Sequence, residues 1–153
     1  MFSKYFVSSS PVYLDIEDDA AVAQWGNGWR MPSEAEILEL IDKTTRSLAY
    51  MHGVRGIRLT GPSGKSIFMP TASEMSKDEI STYGFIGLDS FVFWRHFNAG
   101  SYWSNCLYPE SMESKHSYCL SLSVELLDQT EKGAKMEFNT RVTGLPIRAV
   151  HDK

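Results

Sequence analysis

An α+β domain, with helices segregated from a mainly antiparallel sheet, is the fold class that this sequence of 153 residues predicts. Three observations predict it. The first third carries helix start and stop signals. From about residue 46 onward the chain breaks into short strand-like runs separated by Gly, Asn and Ser. A content of 42% hydrophobic and 22% charged residues suits a chain that buries a single core. No repeat, low-complexity tract or linker interrupts it, so residues 1–153 read as one domain.

The first helix is expected in LDIEDDAAVAQWG. Asp15, Glu17, Asp18 and Asp19 precede an alanine-rich turn, where carboxylates meet the positive end of a helix dipole, and Gly26 is the stop. The second lies in RMPSEAEILELIDKT: Ser33 and Glu36 make a capping box, and Ile37, Leu40 and Ile41 form an apolar stripe. Candidate strands follow at SLAYM, GIRLT, KSIFM, GSYWSN, SYCLSLSVE, AKMEFNTR and LPIRAV. SYCLSLSVELL alternates, placing Tyr118, Leu120, Leu122 and Val124 on a face expected to look inward. Between Pro70 and Gly100 no period of either kind is sustained; a connection of that length in a compact domain is usually functional or disordered, and its aromatics argue against disorder.

LTGPSGKSIF, at 59–68, has the Gly-Lys-Ser ending of a phosphate-binding loop. Such a loop needs a glycine five positions before the Gly64-Lys65 pair, and Leu59 stands there. Pro62 has no N–H to donate, and SIFMP reads as a strand where a phosphate loop would open a helix. The segment is therefore expected to be a hairpin with its turn on GPSG.

Composition narrows the partners. A formal charge of −4 with scattered basic residues gives no footprint for nucleic acid. No apolar run approaches the roughly 18 residues that a membrane span needs, and the apolar core of MFSKYFVSSSP is too short for a signal peptide. The four histidines show no metal-ligand spacing, and no nucleophile elbow is present. No metal, cofactor or enzymatic activity is expected. Cys106 and Cys119 flank an apparent hairpin loop, which leaves two structural alternatives: a single cross-strand disulfide or two buried thiols. His116 between them is the one feature that keeps thiol chemistry in view.

Two aromatic segments invite a binding role. Trp25 and Trp29 bracket a Gly-Asn-Gly turn before Arg30; rings at such a turn are expected to fill the core, with Arg30 paired to a carboxylate or to carbonyls. FVFWRHFNAGSYW instead packs Phe91, Phe93, Trp94, His96, Phe97, Tyr102 and Trp103 into thirteen residues, more than one core face can use. Some of these rings are expected to be exposed beside polar groups, an arrangement suited to sugar rings or protein partners. The candidate ligand-binding set is Trp94, Arg95, His96, Tyr108, Glu110 and His116. The competing reading is a loop packed for stability.

VYLDIEDDAAVAQWGNGWRMPSEAEILEL, GPSGKSIFMPTA, GSYWSN and TGLPIRAV resemble, in order and spacing, the bacterial modules called Fibrobacter succinogenes major paralogous domains. The resemblance runs from about Val12 to Val150, and WG-x-x-WRMP is its most specific part. It implies a C-type lectin-like fold: two helices on a twisted, mainly antiparallel sheet, with a long loop region. It also implies an extracellular or cell-surface setting. Members of that family carry strand-forming sequence where this chain has only MFSKYFVSSSP, so the expectation is either a piece of a longer protein or a shortened domain with an incomplete N-terminal strand. Ala149 stands where that family usually has Pro, and YWSN where it has YWSS. The calcium-ligand triplets of sugar-binding members of the fold have no counterpart here, so any sugar site is expected to be calcium-independent. The resulting expectation is a non-catalytic surface or secreted module that binds a glycan or protein ligand. The alternative is a structural or assembly domain of a larger surface, pilus or phage fibre protein, and the oligomeric state stays open.

Overall fold

The computed structural model describes residues 5, 12–26, 28–71, 99–108, 116–124, 133–141 and 143–152. Within them, β1 (Val12–Tyr13) leads through a 3-10 turn at Ile16–Asp18 to α1 (Ala20–Trp25), β2 (Trp29–Arg30) and α2 (Glu34–Lys43). Seven further strands follow: β3 (Thr45–Met51), β4 (Val54–Thr60), β5 (Ser66–Pro70), β6 (Ala99–Leu107), β7 (His116–Ser123), β8 (Ala134–Thr140) and β9 (Val150–His151).

The strands form a four-stranded sheet in the order β1-β6-β7-β8, a meander β3-β4-β5 and a two-stranded ribbon β2-β9, every pair antiparallel. This corrects the expected α+β, C-type lectin-like arrangement. The described residues form a mainly β fold with two short helices, of six and ten residues. The first helical segment shrinks because its acidic run turns as a 3-10 helix and only Ala20–Trp25 continues as α-helix. A helix that short has too little apolar surface to form a layer of its own.

Local signals are realised where they were local to begin with. Ser33 Oγ accepts from the Glu36 N–H, and a Glu36 carboxylate oxygen accepts from the Ser33 N–H at 2.8 Å, closing the capping box of α2. In the β4–β5 hairpin, the Gly64 N–H donates to the Gly61 carbonyl at 3.0 Å across Pro62, and Gly64 has φ +79°. Lys65 leads into a strand, as the hairpin reading requires. LPIRAV is the exception among the strand expectations, since only Val150 of it belongs to a strand.

One core joins the two larger sheets and α2. Ile57 faces Met69 across the meander, Tyr102 faces Leu120 in the four-stranded sheet, and both pairs meet Ile37 of α2 in a single buried cluster. Leu120, Leu122 and Val124 of the alternating segment belong to this cluster. Fully burying each such aliphatic side chain contributes about 1.5–3 kcal/mol, more than a helix cap at about 1 kcal/mol. The architecture therefore follows the sheets.

β6 carries a bulge between Trp103 and Leu107. Ser104 stabilises it: its hydroxyl donates to the Tyr118 carbonyl at 2.9 Å and accepts from the Cys106 N–H at 3.2 Å. The bulged strand also holds neighbouring segments, because the Asn105 N–H donates to the Pro32 carbonyl and the Trp103 N–H to that of Pro146. Segments 31–33 and 145–149 are thus fixed to the sheet beside each other. Among the described residues no helix is long and apolar enough to cross a membrane.

Candidate functional site

The WGNGWR segment builds an aromatic surface next to that bulge. Asp19 caps α1, its Oδ1 accepting from the Ala21 N–H at 2.8 Å and the Val22 N–H at 3.2 Å. Its Oδ2 accepts from the Met31 N–H at 2.9 Å, so one buried carboxylate fixes both ends of the turn that carries the tryptophans. Gly26 ends the helix at φ +85°, and Gly28 follows at φ +95°, both in the left-handed region that glycine adopts readily. A Cβ on Gly28 would stand 3.0 Å from the His151 ring, so the second glycine also permits the close approach of β9.

Arg30 fixes the far side of the ribbon. Its guanidinium forms a bidentate pair with Glu36, both contacts 2.7 Å, and Nε donates to Asp152 at 3.0 Å. Arg30 lowers the Glu36 carboxyl from an ordinary 4.5 to about 2, and Glu36 in turn raises the Arg30 pKa. The expected pairing of Arg30 with a carboxylate is what the structure shows.

The expected burial of the two tryptophans is not. Trp25 is 54% exposed and Trp29 39%. Their ring centroids lie 6.0 Å apart with planes inclined at 56°, and the His151 ring meets Trp29 edge-on at 4.9 Å. Beside them opens a cleft of about 350 Å³ lined by Trp25, Trp29, Ile147, Arg148 and Ala149. Arg148 is exposed and makes no hydrogen bond or ion pair with a described residue. The four-residue spacing of the tryptophans across a Gly-Asn-Gly turn was visible in the sequence. A helix of only six residues, ended by a left-handed glycine, leaves its last ring outside the core.

Of the six residues expected to bind ligand, Trp94, Arg95, His96 and Glu110 lie outside the described residues. Tyr108 and His116 are brought together at one end of the four-stranded sheet, around Phe138. Tyr108 stacks on Phe138 at 4.2 Å and 16°, Tyr118 meets Tyr108 edge-on at 5.2 Å, and His116 meets Phe138 edge-on at 5.5 Å. His116 Nδ1 is buried there without a hydrogen-bond partner among the described residues. Phe138 is half exposed and escaped the sequence reading, and the rings around it pack against one another. Of the crowded aromatics, Tyr102 is buried, its hydroxyl donating to the Pro70 carbonyl and its pKa pushed up to about 12 by burial.

Cys106 and Cys119 are both buried and are not joined in a disulfide, so the two-thiol alternative is the one realised. The register explains this. Cys119 stands opposite Trp103 and Glu137, whereas Cys106 lies within the bulged stretch, opposite Tyr13. Burial, reinforced by the nearby Glu34 carboxylate, pushes the Cys106 thiol up to about 11, which removes its nucleophilic form at neutral pH.

Two other features lie on the described residues. A cleft of about 250 Å³ between α2 and the sheets, lined by Ile37, Leu40, Ile67, Met69 and Leu120 among others, is continuous with the core. Asp15, Glu17 and Asp18 bring carboxylate oxygens within 4.8 Å of one another at the exposed start of the first helical segment, where Asp18 also accepts from the Tyr5 hydroxyl. Comparison of the chain with family models, with curated proteins and with solved structures finds no match.

Proposed function

We propose that this chain is a non-catalytic, calcium-independent binding module, acting at a bacterial surface or after secretion, that recognises a glycan on the Trp25–Trp29 face. The observation that carries the reading is the exposure of both indoles beside a cleft of about 350 Å³. Holding large apolar rings in water costs free energy unless something covers them, and pyranose rings offer the C–H faces that stack on indole. Arg148 at the cleft supplies donors for sugar hydroxyl or carboxylate oxygens. Ring stacking and such hydrogen bonds need no metal and no nucleophile. The resemblance of the WG-x-x-WRMP segment to the Fibrobacter paralogous modules supports the exported setting.

A glycan array probed with the whole chain and with Trp25→Ala and Trp29→Ala tests the proposal. Each substitution removes one platform ring and is expected to weaken binding about tenfold, the equivalent of about 1.4 kcal/mol. Reproducible glycan binding that survives both substitutions, or no binding to any glycan, would overturn it.

A further inference from the structure

The cleft of about 250 Å³ between α2 and the sheets reaches residues that are otherwise sealed in the core. Ile37, Met69 and Leu120 are each at most 2% exposed, yet all three line it together with the partly buried Leu40 and Ile67. Protein interiors are packed so that few voids exceed a water molecule, and an apolar opening of this size in the core is a space for an occupant. Water is a poor one. The Tyr102 hydroxyl is already spent on the Pro70 carbonyl, and Glu36, which also lines the cleft, is paired with Arg30. Arg148 is the exception in the polar lining: it is exposed and makes no hydrogen bond or ion pair with a described residue. Burial raises the Tyr102 pKa and the Arg148 charge opposes that rise, so the guanidinium lies near enough to the buried wall to act on an anion there.

From this arrangement we infer that the cleft is a second binding site, for a straight-chain carboxylate whose tail lies against Ile37, Leu40, Ile67, Met69 and Leu120 and whose head meets Arg148. An apolar cavity of about 150 Å³ takes up benzene, with its six carbons, so this cleft has room for a tail of about ten. The tail supplies the affinity, because each methylene removed from water tightens binding about fourfold. The head supplies selectivity, since a guanidinium forms two parallel hydrogen bonds with a carboxylate and cannot do so with an alcohol. Exposure of Arg148 to solvent holds that preference to about fivefold. Arg148 and Ala149 also line the cleft beside Trp25 and Trp29, so the two sites share a wall. No tryptophan lines the apolar cleft, and the inference does not depend on the glycan reading.

Titration calorimetry of the whole chain with hexanoate, octanoate, decanoate and dodecanoate, each below its micelle concentration, tests the inference. The expected result is affinity that climbs about fourfold per methylene up to decanoate and then levels off, with decanoate bound about fivefold more tightly than decanol. Arg148→Gln, an exposed substitution, is expected to abolish the preference for decanoate over decanol and to keep the chain-length trend. Leu40→Trp fills the cleft from α2 and is expected to weaken decanoate binding at least about tenfold, with circular dichroism confirming that the variant is folded. Ile67→Phe intrudes less, from β5, and is expected to move the plateau to shorter chains. No binding of decanoate, affinity that keeps rising from decanoate to dodecanoate, decanol bound as tightly as decanoate, or a folded Leu40→Trp that binds decanoate as the unaltered chain does would overturn the inference. Trp25→Ala and Trp29→Ala are expected to leave decanoate affinity unchanged, which separates a failure of this site from a failure of the glycan reading.

Discussion

Asp19 organises the aromatic site although it touches none of its rings. Its carboxylate is 4% exposed and accepts three backbone N–H groups, two at the start of α1 and one from Met31 beyond the tryptophans. Asp19→Ala removes a helix cap and leaves a buried N–H unpaired, so a loss of about 2–4 kcal/mol is expected from urea denaturation. A loss under about 0.5 kcal/mol would show that the turn holds without it. Glu36 gives a pH signature at the same scale. Its folded pKa, about 2, lies below the ordinary 4.5, so the Arg30 pair contributes stability that is present above pH 4.5 and fades as pH falls toward 2. Glu36→Gln preserves the capping box but not the charge, and its thermal stability is expected to lose this dependence between pH 4.5 and 2. An unchanged acid profile in the variant would assign the effect to other groups. The capping box was legible in the sequence because both its residues lie within one turn. The exposure of Trp25 and Trp29 was not, because it depends on where Pro146 and His151, more than a hundred residues away, come to rest.

Gly56 shows the same division at the level of the element. Its place in GIRLT marks it only as part of a strand, yet a Cβ there would stand 2.4 Å from the Met69 carbonyl oxygen and 2.6 Å from the Phe68 ring. Gly56→Ala is expected to cost about 1–3 kcal/mol, because the β5 backbone must move to admit the methyl group. A neutral result in chemical denaturation would mean that the β4–β5 pairing is looser than the register indicates. Strand positions were readable from alternation in β7 and from the turn residues of the β4–β5 hairpin, whose signals are local. The ribbon β2–β9 was not readable, since two-residue strands carry no period and are made by pairing across 120 positions of sequence. The bulge in β6 was likewise hidden, because it is made by the Ser104 hydroxyl bonding across to β7.

At the scale of the molecule, the balance between helix and sheet was set by burial, in which a small α1 and a ten-residue α2 contribute less than the facing apolar sides of two sheets. Among the rings left at the surface are the group around Phe138, itself half exposed, and the pair at Trp25 and Trp29 beside a cleft. The account assigns recognition to the tryptophan pair. Titration calorimetry of the best glycan from the array against the unaltered chain, Trp29→Ala and Phe138→Ala tests that assignment most directly. The expected result is affinity reduced about tenfold in Trp29→Ala and unchanged in Phe138→Ala. Affinity lost in Phe138→Ala and kept in Trp29→Ala would contradict the account and move recognition to the aromatic cluster around Phe138.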